Sequence, residues 1–352
     1  MQFQKNIHKK FKKGAYSDFI LAGDIGGTNT KLGLFGISKK LPELLASFNF
    51  KSQEMRGLHE SINKAIECIN DDYSIKIKKG SLAVAGVISP NKDFADVTNA
   101  PWNVDKKLLL DNTMLKKIII LNDFEAIGYG INMLKVDDIM TIKKSKKIPK
   151  APIVVVGAGT GLGKTTLIYH ESLKSYIPLH CEAGHTDFPS QSKEELNLVG
   201  FIKKRKKIRG SIPYEQILSG QGLENLYFFV RKNMKLAPTR YTKEIEVARN
   251  KAELISKYRN ADKTCFEVFR LFQKAFSKFA RNFALDSIAW GGVYIAGGII
   301  PKNKGILDGS FVRMFEENYM LGDVLKAVPI HLIVNYDVGL LGAGFVGAKL
   351  LE

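Results

Sequence analysis

Cysteine is scarce, and so is any long apolar run. The three cysteines of this 352-residue chain, Cys68, Cys181 and Cys265, are too widely spaced for a disulfide framework or a zinc site. Reduced, mostly buried thiols are expected. No apolar run approaches the length of a bilayer-spanning helix, so no membrane partner is expected. The leader Met1 to Tyr16 holds Lys5, Lys9, Lys10, Lys12 and Lys13 but lacks the apolar core of a secretory signal, so a cytoplasmic location is expected. Acidic residues are also short in number, 35 against 53 basic ones, for a formal charge of +18. Such a balance would suit nucleic acid, an anionic membrane or a polyanionic small substrate. The densest runs, Lys9 to Lys13, Lys143 to Lys150 and Lys203 to Arg209, include no nucleic-acid motif and few interleaved aromatics. They read as solvated surface, the last as a basic turn, and no nucleic-acid partner is expected.

What is present is an ordinary globular composition, 45% hydrophobic and 25% charged, on a chain long enough for two domains. Ile118 to Leu121 read as a strand buried on both faces, and the polar pair Asn122-Asp123 emerges at its carboxyl end, the edge where open α/β sheets bind ligands. Asn122 can donate and accept hydrogen bonds, and the Asp123 carboxylate can take a proton from a substrate hydroxyl. The plainer reading is that the pair caps the helix starting at Phe124.

Two glycine turns lie in strand–turn–strand patterns. In Asp24-Ile25-Gly26-Gly27-Thr28-Asn29, glycines without side chains let backbone N–H groups approach phosphate oxygens, Thr28 adds a hydroxyl, and Asp24 can hold a hydrated Mg²⁺. Gly157-Ala158-Gly159-Thr160-Gly161-Leu162-Gly163 follows the strand Ile153 to Val156 as a second such nest. Lys164 and Thr165 make that stretch mimic a phosphate-binding P-loop. The next residues, Thr165 to His170, are β-branched and read as a returning strand, not the helix a P-loop must open. A third turn, Gly297-Gly298, ends the strand Val293 to Ala296 and would let a flat base lie against the backbone.

Weaker signals lie between these. Asn99 and Trp102 sit in a polar loop beside Pro101 that could line a sugar site, an aromatic packing on the ring and an amide bonding its hydroxyls. Glu182 and His185 are three apart with small residues between, and Glu215 precedes an apolar pair and a glycine break. Phenylalanines at 266, 269, 272, 276, 279 and 283 mark one face of a long core helix, with Lys274, Lys278 and Arg281 elsewhere on its surface. Near the end, Gly342, Gly344 and Gly347 form a GxGxxG, but no room remains for the second strand and acid of a dinucleotide fold.

Taken in order, Gly23 to Asn29, Leu121 to Phe124, Gly157 to Gly163, Glu182 to His185, Ser219 to Leu223, Ala296 to Pro301 and Gly339 to Gly344 resemble the bacterial glucokinase family. That resemblance implies a two-domain, actin-like (ribonuclease H-like) α/β sugar kinase fold with a central cleft. The division expected is a basic extension over 1–17, a small α/β domain of 18–133 plus 338–352, and a large α/β domain of 134–337. It implies ATP-dependent phosphorylation of glucose at the 6-hydroxyl, with ATP and Mg²⁺ as cofactors and a homodimer as the assembly. By similarity, Asn122, Asp123, Glu182, His185 and Glu215 would hold the sugar, with Asp123 also the general base. The loops Asp24, Gly26, Gly27, Thr28, Asn29 and Gly157, Gly159, Thr160, Gly161, Gly163 would grip the phosphates, with Gly297 and Gly298 beside the adenosine. The chain departs from the family in its basic leader, in Ala183 where the family often has Gly, and in the Lys203 to Arg209 run. The alternatives are a kinase for another hexose on the same scaffold, or a non-catalytic sugar sensor binding nucleic acid, against which the absence of a DNA-reading helix counts.

Overall fold

The computed structural model describes residues 2–38 and 41–351. The chain forms two compact units: Met1–Asp138 with His170–Leu179 and Asn335–Glu352, and Ile139–Tyr169 with His180–Val334.

The first unit is built on a six-stranded sheet in the order Phe3–Ile7, Glu43–Lys51, Asn29–Ile37, Asp18–Ile25, Lys79–Val84, Lys117–Asn122. The first three junctions are antiparallel and the last two parallel. Side chains alternate between its two faces, as the pleat requires. Phe19, Leu21 and Ile25 belong to one core, with Ile62, Ala65, Ile66 and Ile69 of the helix Leu58–Tyr73. Ile20, Ala22, Phe35 and Ala83 belong to the other, with Ala126 of the helix Asp123–Gly130 and Leu340, Ala343 and Val346 of the helix Val338–Leu350.

The C-terminal GxGxxG is used for packing. A Cβ on Gly342 would lie 1.7 Å from Ala126 O, and one on Gly344 would lie 2.5 Å from the Phe35 ring. Glycine at these positions lets Val338–Leu350 lie directly on its neighbouring helix and on the sheet.

The basic leader is integral to this unit. Phe3–Ile7 pairs antiparallel with Glu43–Lys51, Phe3 stacks on Phe50 with centroids 5.3 Å apart, and Lys5 is ion-paired with Asp72. Residues 170–179 join it through a reciprocal pair of hydrogen bonds. Tyr176 N–H donates to Asn132 Oδ1 at 2.8 Å, and Asn132 Nδ2 donates to Tyr176 O at 3.0 Å.

In the second unit the strands run in the order Ile139–Lys143, Ile330–Ile333, Gly292–Ala296, Ile153–Ala158, Leu162–His170. The Lys143 to Lys150 run, read as solvated surface, begins at the end of an edge strand, Ile139–Lys143, that pairs antiparallel with Ile330–Ile333. The core gathers Val154, Val156, Val293 and Ile295 against the 25-residue helix Lys263–Ser287.

That helix departs from its expected pattern at both edges. Phe269, Phe272, Phe276 and Phe279 are buried, but Phe266, in the first turn, is 57% exposed. Lys278 and Arg281, expected on the surface, are buried. Lys278 Nζ donates to the buried Glu195 at 2.6 Å, and Arg281 caps the carbonyl of Glu317 at 2.5 Å. Lys203 to Lys206, expected in a turn, are the last turn of the helix Lys193–Lys206, where cations complement the partial negative charge of the helix end. Lys164 sits in the strand Leu162–His170, which rules out the P-loop geometry.

Candidate functional site

Strand Lys117–Asn122 ends on an amide and hands over directly to a helix. Asn122 is the N-cap of Asp123–Gly130: its Oδ1 accepts from Phe124 N at 2.8 Å and Glu125 N at 3.3 Å. Asp123 Oδ1 also accepts from Phe124 N, at 2.9 Å. The capping role is therefore real. With its oxygen committed to the cap, Asn122 offers amide hydrogens to a ligand. Asp123 stands in the first turn of the helix, where a negative charge is favoured.

The hairpin joining Asp18–Ile25 to Asn29–Ile37 holds a tight tip. Gly26 N–H donates to Asn29 O at 3.0 Å, and Ser52 Oγ and Gln53 Nε2 donate to Gly26 O and Gly27 O at 2.5 and 2.8 Å. Gln53 Nε2 also donates to Asn99 O at 2.5 Å. Gly27 lies so close to the neighbouring loop that a Cβ there would sit 2.0 Å from Thr98 O. Asn99 itself is exposed with φ at 63°, a left-handed backbone that asparagine tolerates. Trp102, read as a candidate sugar platform, is instead buried in the first unit's core, its Nε1–H donating to Ser52 O at 2.9 Å.

Asp24 lies where this hairpin meets the start of Val338–Leu350: a Cβ on Gly339 would lie 3.3 Å from Asp24 Oδ2. Burial pushes its carboxyl up to about 6, the nearby Asp123 and Asp337 charges push the same way, and Lys31 opposes them. Lys31 is ion-paired with Asp337. This cluster of three aspartates and one lysine was only half visible in the sequence. Lys31 and Asp337 are 306 residues apart, and nothing local marks them as partners.

Among the described residues no group of three or more His, Cys, Asp or Glu is placed to hold a metal ion. A carboxylate oxygen is the ligand type that hard cations take, and Asp24 is the acid of the first glycine hairpin.

In the second unit, strands Ile153–Ala158 and Leu162–His170 pair up to Ala158 opposite Leu162, leaving a turn of Gly159-Thr160-Gly161. Gly159 N–H closes it onto Gly161 O at 2.8 Å. Gly220 N–H donates to Gly159 O at 2.9 Å, and a Cβ on Gly159 would lie 3.7 Å from Gly298 N. The second nest and the Gly297-Gly298 turn are therefore neighbours. Gly297, with φ at +89°, has no room for a side chain against Ala158 O.

Glu182 precedes the short turn Ala183–His185, and His185 ends it. Both are exposed, with His185 Nε2 4.0 Å from Glu182 Oε2, and His180 Nε2 lies 3.6 Å from Glu182 Oε1. His180 is an addition to the residues read from the sequence, signalled only by its i, i+2 spacing to Glu182. This loop is registered against the segment before Glu215: Phe188 N–H donates to Ile212 O at 2.8 Å and Tyr214 N–H to Thr186 O at 3.0 Å. Glu215 is half-buried in the turn Tyr214–Gln216, its Oε2 accepting from Leu162 N at 2.9 Å.

The sequence profile described as Glucokinase matches residues 21–350. The chain belongs to the glucokinase family. A glucokinase of Nostoc sp. (strain PCC 7120 / SAG 25.82 / UTEX 2576) is 32% identical over 352 residues, which cover 94% of this chain and 99% of that protein. A glucokinase of Yersinia pestis (strain Pestoides F) is 31% identical over 332 residues, covering 93% and 95%. Among solved structures, glucokinase from an Antarctic psychrotroph superposes with a TM-score of 0.78 at 24% identity, covering 94% of this chain and 98% of that one. Glucokinase from Balamuthia mandrillaris in complex with glucose does so with 0.78 at 22%, covering 94% and 93%. The fold is that of the actin-like sugar kinases. As a glucokinase-family enzyme the chain transfers a phosphoryl group from ATP to glucose.

Proposed function

We propose that Asp123 is the general base of this transfer. Its carboxylate takes the proton of the glucose 6-hydroxyl as that oxygen attacks the terminal phosphorus of ATP, giving glucose 6-phosphate and ADP. The sugar's hydroxyls are assigned to Asn122, Asp123, Glu182, His185 and Glu215, with Asn99 as a further contact. The phosphates are assigned to the backbone of Gly26 to Asn29 and of Gly157 to Gly163, and the adenosine to Gly297 and Gly298. Asp24 would hold a hydrated Mg²⁺, which supplies neutralising charge to the β- and γ-phosphates when bound. Phosphoryl transfer asks mainly for positioning and charge neutralisation, and this set supplies both kinds of group. A cytoplasmic homodimer is the assembly proposed, which sedimentation would read as twice the 39.3 kDa chain mass.

The observation that carries the reading is the electrostatic neighbourhood of Asp123. It is near enough to Asp24, the acid of the first glycine hairpin, to help push that carboxyl up. A base for the sugar hydroxyl and an acid for the metal–phosphate group thus share one cluster. Asp123→Asn keeps glucose binding and lowers turnover by about 10²- to 10⁴-fold, the range for a lost general base. Calorimetry with glucose and a coupled ADP-release assay separate the two quantities, and near-normal turnover would remove Asp123 from the chemistry.

A further inference from the structure

Leu162, in the second unit, is held on both sides of its peptide backbone by segments assigned to the sugar. Its N–H donates to Glu215 Oε2 at 2.9 Å. Its carbonyl abuts Gly184, between Glu182 and His185, so closely that a Cβ on Gly184 would lie 2.1 Å away. Leu162 is also the first residue of the strand leaving the Gly159-Thr160-Gly161 turn, paired across it with Ala158. The other side of the turn is held by the same short segment that carries Glu215. Gly220 N–H donates to Gly159 O at 2.9 Å, and Ser219 Oγ donates to Glu215 O at 2.8 Å. Residues 215–220 therefore clamp both sides of the hairpin turn, by a carboxylate on Leu162 N–H at one end and a backbone N–H on Gly159 O at the other.

We infer that Glu215 is a positioning residue for the nucleotide's phosphates: by accepting the Leu162 N–H it fixes the spacing of the Gly157 to Gly163 nest, and so sets ATP affinity even when no sugar is bound. This rests on the assignment of that nest to the phosphates. A carboxylate that served only sugar hydroxyls would have no need of a hydrogen bond to the hairpin, and its loss would leave nucleotide binding untouched. A carboxylate oriented by the hairpin, by contrast, presents its remaining oxygen in a fixed direction, so one side chain serves both substrates. Gly161 shares in the arrangement, since a Cβ there would lie 2.7 Å from Glu215 Oε2.

The test is binding of a non-hydrolysable ATP analogue with Mg²⁺ in the absence of glucose, by calorimetry on the full chain, together with hydrogen exchange at the amides of residues 159–162. Glu215→Ala weakens the analogue by about ten-fold, the size of one lost hydrogen bond to a charged group, and speeds exchange at Leu162. Glu215→Gln, whose amide oxygen still accepts from Leu162 N–H, stays within about two-fold of the parent for the nucleotide. Should the alanine variant not fold, Glu215→Asp, too short to reach Leu162 N–H, carries the same expectation. Unchanged nucleotide affinity in Glu215→Ala, or equal weakening in Glu215→Gln, overturns the inference. Gly159→Ala tests the underlying assignment separately: a Cβ there meets nothing nearer than 3.7 Å, so the methyl group is accommodated by the protein while it stands in the nest. If that variant binds the analogue as tightly as the parent, the phosphate assignment itself fails.

Discussion

Gly27 and Asp24 show how little space the first hairpin leaves for variation. A methyl group on Gly27 would be driven into Thr98 O at 2.0 Å, and since that atom is backbone, the hairpin tip must shift. Gly27→Ala is expected to lower stability by about 1–3 kcal/mol, as overpacking does, and to weaken ATP binding; thermal melts and calorimetry would read the two effects. Asp24 carries a pH signature. Its carboxyl is raised to about 6 in the folded protein, so the native state holds that proton more tightly than the unfolded chain does. The stability this contributes is present at low pH and is lost as pH rises from the ordinary carboxylate range through about 6. In metal-free buffer, Asp24→Asn, which cannot ionise, should therefore gain in melting temperature over the parent on going from pH 5 to pH 7.5. A difference that stays flat or shrinks over that interval would show that Asp24 ionises without penalty. Both residues were legible in the sequence because a strand, a Gly-Gly turn and an acid sit within a few positions. Lys31 and Asp337 were not, because what joins them is the packing of the last helix onto the first hairpin.

At the scale of elements, the long helix Lys263–Ser287 separates what periodicity can say from what packing adds. A three-and-four spacing of phenylalanines is enough to identify a core helix. It does not say what lies opposite the remaining faces, and here the helix Lys193–Lys206 brings Glu195, 3% exposed, against Lys278. Glu195 is also 3.3 Å from Lys274 and accepts from Gln191 N at 2.7 Å. Removing one member of a buried pair leaves an uncompensated charge, so Glu195→Ala should cost about 3–5 kcal/mol. The paired change Glu195→Leu with Lys278→Met should recover most of that loss in denaturant melts. If the double variant is no more stable than Glu195→Ala, the helix depends on the ion pair for more than charge neutralisation. The C-terminal helix makes the same point with glycines: a pattern that in isolation resembles a nucleotide fingerprint is used so that Gly342 can lie against Ala126 O.

Over the whole molecule the first unit is discontinuous, since its sheet comes from the start of the chain and one covering helix, Val338–Leu350, from the end. Leu340, Ala343, Val346 and Ala348 supply a large part of the core on that face, with Ile20, Ala22 and Phe35 beneath them. Deleting residues 335–352 should therefore unfold the first unit, while the second, whose core draws on residues 154–332, keeps its helical signal. Circular dichroism with limited proteolysis would check this, and a truncated chain with an intact first unit would show that the helix only covers a sheet stable without it. The basic leader belongs to this scale too, because its lysines said nothing of the edge strand Phe3–Ile7, which needs Glu43–Lys51 beside it to exist.

The sequence by itself determined what is encoded over a few consecutive residues: the glycine hairpins, the strand that delivers Asn122 and Asp123, the strand that denies Lys164 a P-loop, and the family these motifs spell in order. Those features follow from local backbone preference and side-chain chemistry, which neighbours along the chain fix. Only the tertiary structure decided which charges are buried, that Trp102 is core, that Asp337 and Lys31 attend Asp24, and that Glu215 grips Leu162. Each of these depends on groups far apart in sequence meeting across packed elements, where desolvation and hydrogen-bond geometry choose the partners.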